Sequence, residues 1–190
     1  MTSAAPAAPG TICAHPWDVG ERASCHFYHT LTLPEHGVVD GHVDLRDNID
    51  AYLGGVDLHG RRVLDIGPAS GFVAFHAEAV GAREVVGLEV SAERVWDTVP
   101  RPDLDMTAIR ADRAQHMDAI KRGFWFAHRA LGSRVRIVYG DAAAMPSDLG
   151  AVDVAVLGGV LLHCRDPLAP LAECAARVQE TVVITEQEMP

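Results

Sequence analysis

Lysine is almost missing from this chain of 190 residues: Lys121 is the only one, and every other basic residue is an arginine. Sixteen basic residues face 26 acidic ones, for a formal charge of -10. A surface of that sign repels phosphate backbones, so a large nucleic-acid partner is disfavoured. Local basic stretches at Arg61-Arg62 and from Arg129 to Arg136 read as solvated charged faces. No apolar run reaches the roughly 20 residues of a membrane span, so no membrane partner is expected. The first twenty residues lack both a basic start and an unbroken apolar core, which excludes a convincing secretory signal. Rich in Ala and Pro, they predict a disordered leader over residues 1–24, and the location expected by default is the cytoplasm. The four cysteines, at 13, 25, 164 and 174, form no C-x-x-C pair. Thiols are therefore expected rather than disulfides. The cluster Cys25-His26-Phe27-Tyr28-His29 has no second ligand group at zinc-finger spacing, so no metal is expected.

What is present is one domain's worth of core, 48% hydrophobic and 22% charged. Residues 25–55 predict a small β-hairpin turning at Pro34–Gly37, then a short helix from Asp47 to Leu53 closed by Gly54-Gly55. From residue 56 onward strands alternate with helices. Strands are predicted at Val63–Ile66, Glu84–Glu89, Arg134–Tyr139, Val152–Leu157 and Thr181–Thr185. Helices are predicted over Ser70–Val80, from Ser91 through Arg94 and Val95 to near Pro100, over 105–131 with Asp105 as cap, and from Asp166-Pro167 to Val178. Alternation of this kind predicts an α/β fold: a doubly wound, Rossmann-like parallel sheet with helices on both faces, preceded by the hairpin.

Ligands of such sheets sit beyond the carboxyl ends of the strands, and "LDIGPASG" follows the first core strand. Read from Gly67, the dinucleotide fingerprint G-x-G-x-x-G loses two of its three glycines, to Ala69 and Phe72. The phosphate loop G-x-x-x-x-G-K-[ST] has no lysine here. Both phosphate readings lack their main physical requirement.

"LDIGPASG" instead resembles motif I, [DE]-x-G-x-G-x-G, of the class I S-adenosylmethionine-dependent methyltransferases. Ala69 stands in the middle glycine slot, a departure that is tolerable if its φ is negative. The resemblance implies that Gly67, Pro68, Ala69 and Gly71 approach the donor and that Asp65 positions the loop and the methionine amino group. Glu89, ending the second strand, would accept the ribose hydroxyls, with Val90 beside it. Asp141 in "YGDA" would meet the adenine amino group and Ala142 the ring edge. Gly158, Gly159 and Val160, in "LGGVLLHCRDP", would line the methyl-donor cleft. The resemblance spans residues 62–185.

The flanks "FYHTLTLPEHGVVDGHVDLR" and "GFWFAHRALGSRVRIVYGD" look like a subgroup near the tRNA wobble-uridine modifying enzymes. The resemblance thus implies S-adenosyl-L-methionine as cofactor and methyl transfer to an acceptor. The acidic charge favours a small-molecule acceptor, modified at O or N, over a tRNA wobble uridine. A donor-binding protein without turnover is a further alternative. His163, after the fourth strand, is the candidate base; His29 is the second candidate, and Tyr28 a candidate acceptor contact. Phe124, Trp125 and Phe126 in the long 105–131 segment form either core packing or a lid or homodimer surface, with Trp125 as an acceptor contact in the latter case. Family members continue with two more strands after the fifth, so this chain is expected either to be a fragment or to have that edge covered by a partner.

Overall fold

A computed structural model describes residues 13–91 and 102–186 of the chain. Its centre is a strand apolar enough to be covered on both faces. This strand, β3 (Arg62–Ile66), is buried from Val63 onward, as the run Val-Leu-Asp-Ile requires. Before it stand the hairpin strands β1 (Leu31–Leu33) and β2 (Gly37–Val39), paired antiparallel, and helix α1 (Ile49–Tyr52). After it come α2 (Phe72–Ala79), β4 (Glu84–Glu89), α3 (Met106–Leu131), β5 (Arg136–Tyr139), β6 (Val152–Gly158), α4 (Leu168–Ala175) and β7 (Val178–Thr185).

The five core strands form one parallel sheet in the order β5-β4-β3-β6-β7. The chain winds outward from β3 through β4 to β5, then returns to the other side of β3. This reversal opens a crevice between β3 and β6 at their carboxyl ends, where ligands of open parallel sheets bind.

The two-residue period of each strand sorts its side chains onto two cores. Val63, Val85, Ile137, Val154 and Val156 face α2, α3 and the N-terminal hairpin. Leu64, Ile66, Val86, Leu88 and Leu157 face α4 through Cys174, together with Met145 and Leu149. Asp65 and Glu89 share the first face, because they keep step with Val63 and Val85. That alternation puts two carboxylates under α3.

Some elements match the sequence expectation and others differ. The aromatic run of α3 takes the core-packing alternative: Phe124, Trp125 and Phe126 are all buried. Phe124 stacks on Phe75 with ring centroids 5.1 Å apart, and Phe126 meets Phe27 edge-on. A helix of 26 residues laid across one sheet face needs such bulk to fill the layer. At its start the Asp105 carboxylate accepts the N–H groups of Thr107 and Ala108, as a capping aspartate does. Helix α4 stops at Ala175, short of Val178, because β7 begins there and pairs with β6. Residues 13–24, expected in a disordered leader, pack on the domain. Cys13 bridges Val138, the Ala14 N–H donates to the Ile137 carbonyl at 2.7 Å, and Val19 is buried. The outer strand β5 offers free backbone groups, and this segment satisfies some of them. Residues 1–12 and the helix expected from Arg94 to Pro100 lie outside the described residues.

All four cysteines are free thiols, Cys174 buried and its thiol pushed up to about 11 by that burial. Among the described residues no helix is long and apolar enough to cross a membrane.

Candidate functional site

The loop after β3 is shaped by close contacts. Gly67 has φ 70° and donates its N–H to the Leu88 carbonyl at 2.8 Å. A Cβ there would come within 2.8 Å of the Val160 side chain. Pro68 is buried against Gly87 of the neighbouring strand, where a side chain would collide with it. Gly71, at φ 93°, caps α2 and is pressed against Phe75 and Phe124. These contacts let the backbone turn within one sheet layer.

Ala69 does not meet the condition set for it. Its φ is +50°, in the left-handed region that costs an L-residue roughly 1–2 kcal/mol. The conformation is held by its N–H, which donates to Glu89 Oε2 at 3.2 Å. Glu89 Oε1 accepts the Val90 N–H at 2.8 Å. Both oxygens keep acceptor capacity for a ligand. Burial pushes the Glu89 carboxyl up, against these two N–H groups and the charge of Lys121, which pull it down.

Asp65 lies beneath the loop, 3% exposed. Its pKa is raised to about 7, first by burial and then by the Glu89 charge, with the Ala74 N–H opposing. Asp65 Oδ2 is buried with no hydrogen-bond partner. A buried acceptor left unpaired is costly, and it is satisfied only if a donor arrives or the acid holds a proton.

Ten of the residues expected at the site line one cleft: Tyr28, His29, Gly67, Ala69, Glu89, Val90, Gly158, Gly159, Val160 and His163. Met117 and Ile120 complete its wall. The cleft holds about 110 Å³ of water-sized space and opens to solvent at its mouth. Gly158 admits no side chain, because the Tyr52 hydroxyl stands where its Cβ would be. No lysine or arginine lines it among the described residues.

Asp141 and Ala142 sit one strand away. The Gly140 N–H donates to the Glu89 carbonyl at 2.8 Å, which places Asp141 on the same edge. Its carboxylate accepts the Ala143 N–H at 3.0 Å, and neither residue belongs to the cleft lining. Trp125 is not an acceptor contact: it is buried in the core and donates its Nε1–H to the Tyr139 hydroxyl at 3.0 Å.

The two histidines differ in environment. His29 is buried, its pKa pushed down to about 4 by desolvation, with Nδ1 unpartnered. His163 ends the short 3-10 turn after β6 and is only partly buried. Burial lowers its pKa, opposed by Glu186 and assisted by Arg113.

Some contributors were not visible in the sequence reading. Ser70, fully buried, accepts the His29 N–H on its Oγ at 3.0 Å and so fixes the hairpin segment to the loop. A hydroxyl inside a glycine-bearing loop was the only signal for it. Met117 and Ile120 read as ordinary apolar helix positions.

No family model and no curated protein matches the chain. Among solved structures it is similar to a Pyrococcus horikoshii protein provisionally named an RNA methyltransferase (16% identity, 75% of this chain and 55% of that one, TM-score 0.45). It is also similar to a Bacillus halodurans protein provisionally named a methyltransferase (20% identity, 75% and 52%, TM-score 0.47). A third is CalS10 from Micromonospora echinaspora, an amino pentose methyltransferase with S-adenosylmethionine bound (19% identity, 76% and 48%, TM-score 0.44). The chain spans about half the length of each.

Two outcomes follow from this geometry. Ala69→Gly is expected to raise the melting temperature by about 2–4 °C. Relief of roughly 1–2 kcal/mol of left-handed strain exceeds the roughly 0.4–1 kcal/mol of added unfolded-chain freedom. A lower melting temperature would show that the strain is not carried there. Asp65 titrates at about 7 when folded against its ordinary 3.8. Between those values the folded chain keeps a proton that the unfolded chain has released, so stability falls as pH rises through the window. Asp65→Asn is therefore expected to stabilise at about pH 8 and to gain little at about pH 4. Thermal melts at both pH values check this, and an equal gain at both would contradict it.

Proposed function

We propose that the cleft binds S-adenosylmethionine and that the protein transfers its methyl group to the oxygen or nitrogen of a small-molecule acceptor. The observation that carries this reading is the pair of buried carboxylates, Asp65 and Glu89, near the ends of adjacent strands beside a cleft that no lysine or arginine lines among the described residues. The donor carries a sulfonium and an ammonium against one carboxylate, which suits an acidic site. A nicotinamide dinucleotide brings a pyrophosphate, which that site would repel.

In this reading Glu89 accepts the ribose hydroxyls, with Val90 beside it. Asp65 Oδ2 takes the methionine ammonium, which supplies the partner this atom lacks. The backbone at Gly67, Gly158 and Gly159 lets the ligand approach closely, and Asp141 and Ala142 flank the adenine side. Residues 25–55 form an N-terminal element over a donor-binding unit of residues 56–190.

When bound, the donor supplies an electrophilic methyl carbon whose leaving group is a neutral thioether. The protein's tasks are alignment, exclusion of water and removal of a proton. Met117, Ile120 and Val160 supply the apolar wall. His163 is the better base for a hydroxyl or protonated amine: an imidazole nitrogen takes the acceptor's proton, and its basicity is less depressed than that of His29. With a pKa of about 4, His29 is neutral and too weak a base at neutral pH. It serves as a hydrogen-bonding group for the acceptor, next to Tyr28 at the mouth. The formal charge of -10 favours a small molecule over the tRNA wobble uridine as acceptor.

Calorimetric titration with S-adenosylhomocysteine, with NAD as control, tests the donor site. Binding of the first alone, weakened about 10-fold or more by Glu89→Ala, is expected from loss of charge-assisted hydrogen bonds. Preference for NAD, or binding of neither, would end this reading. Once an acceptor screen gives turnover, His163→Ala is expected to lower kcat by about 10²–10⁴. Unchanged turnover would remove the base role, and binding with no turnover on any acceptor would favour a donor-binding protein.

A further inference from the structure

We propose that Lys121 is the counter-charge that keeps Glu89 ionised, and so able to accept a ribose diol, without taking up the acceptor capacity that the two backbone N–H groups leave on its oxygens. The ribose part rests on the donor reading above; the coupling of the two charges does not.

Four observations converge on this residue. Lys121 is the chain's single lysine, and it is 4% exposed. It is the only buried lysine or arginine among the described residues. Long cations are rarely buried without an electrostatic reason. It lies on the buried face of α3, next to Ile120 and one turn beyond Met117, which both line the cleft.

Its ammonium sits over the ring of Tyr139, 5.0 Å from the centroid. That ring is fixed by the Trp125 Nε1–H bond to its hydroxyl. Tyr139 is the register partner of Glu89 across β4 and β5, so both side chains leave the sheet on the α3 side. The tyrosine face thus acts as a shelf that holds the cation near the carboxylate.

The charge balance of the face needs such a group. Glu89 and Asp65 are both buried there, and each makes ionisation of the other harder. The groups facing Glu89 are Asp65 from β3, Lys121 from α3 and Tyr139 from β5. Tyr28, His29 and His163 reach it across the cleft, and Asp118 acts on Lys121 and Tyr139. His29 is neutral and Tyr139 is held protonated, its pKa pushed up to about 12 mainly by burial. Lys121 is the cation that acts on Glu89. Burial lowers its own pKa, while Glu89 and Asp118 support the charged form.

The arrangement differs from a direct ion pair in a useful way. An ammonium bonded to the carboxylate would occupy acceptor sites needed by the ligand's hydroxyls. Held on an aromatic face, the charge acts through space and competes for none of them. Lys121 is in this sense a positioning residue for charge, not a catalytic one.

The test compares wild type with Lys121→Met, which keeps the aliphatic stem and its packing. The ionisation of Glu89 is followed by carboxyl carbon NMR in the ligand-free protein, with Glu89→Gln to assign the signal. The titration is expected to move up by about one pH unit or more in Lys121→Met, equivalent to a tenfold change in the ionised ratio. S-adenosylhomocysteine binding is then measured by calorimetry at one pH below and one above both Glu89 midpoints found in those titrations. Relative to wild type, Lys121→Met is expected to lose about tenfold more affinity at the lower pH than at the higher. In the Glu89→Gln background Lys121→Met is expected to add no pH-dependent loss.

An unmoved Glu89 titration in a folded Lys121→Met protein would overturn the inference, whatever the binding shows. So would an equal affinity loss at both pH values, which is the mark of a packing role. A shifted titration with no binding by wild type would uphold the charge coupling and overturn the donor reading instead.

Discussion

Two carboxylates buried at the ends of neighbouring strands are the constraint around which this site is arranged. Removing charge from water is expensive, and a second like charge nearby raises the cost. Much of the local structure answers that demand. The strained loop turns the Ala69 N–H onto Glu89, the chain after β4 turns the Val90 N–H onto it, and α3 brings its lysine to the same face. Asp65 is left with one oxygen unsatisfied. A fold under no functional demand would place an apolar residue there, as β3 does on either side.

The parallel sheet was legible because its strands are short apolar runs punctuated by glycine, and burial on both faces demands that pattern. Glu84–Glu89 matches its expected limits, and Asp105 caps α3 as its sequence position suggests. The run Phe124-Trp125-Phe126 was ambiguous because three adjacent aromatics cover most of a helix circumference. Only the sheet opposite decides which of them are buried. The reach of α4 and β7 was misjudged because residues 175–178 carry no glycine or proline to mark the change.

The cleft was legible where a residue's position in the fold dictates its place. Gly67, Glu89 and Gly158 end strands, so topology alone brings them together. Ala69 was the hard case: sequence shows the residue but not its φ, and the sign of that angle came from the bond to Glu89. Ser70 and Lys121 were invisible as site residues, because their contacts run to segments 41 residues away in the first case and across the sheet in the second. Contacts of that range follow from packing and leave no local pattern.

The bond from the His29 N–H to Ser70 Oγ joins two parts of the chain with different jobs. One is the loop on which a ligand rests; the other is the segment carrying Tyr28 and His29 over the cleft. A displacement of the loop is therefore passed to Tyr28 and His29, so two walls of the cleft are mechanically coupled.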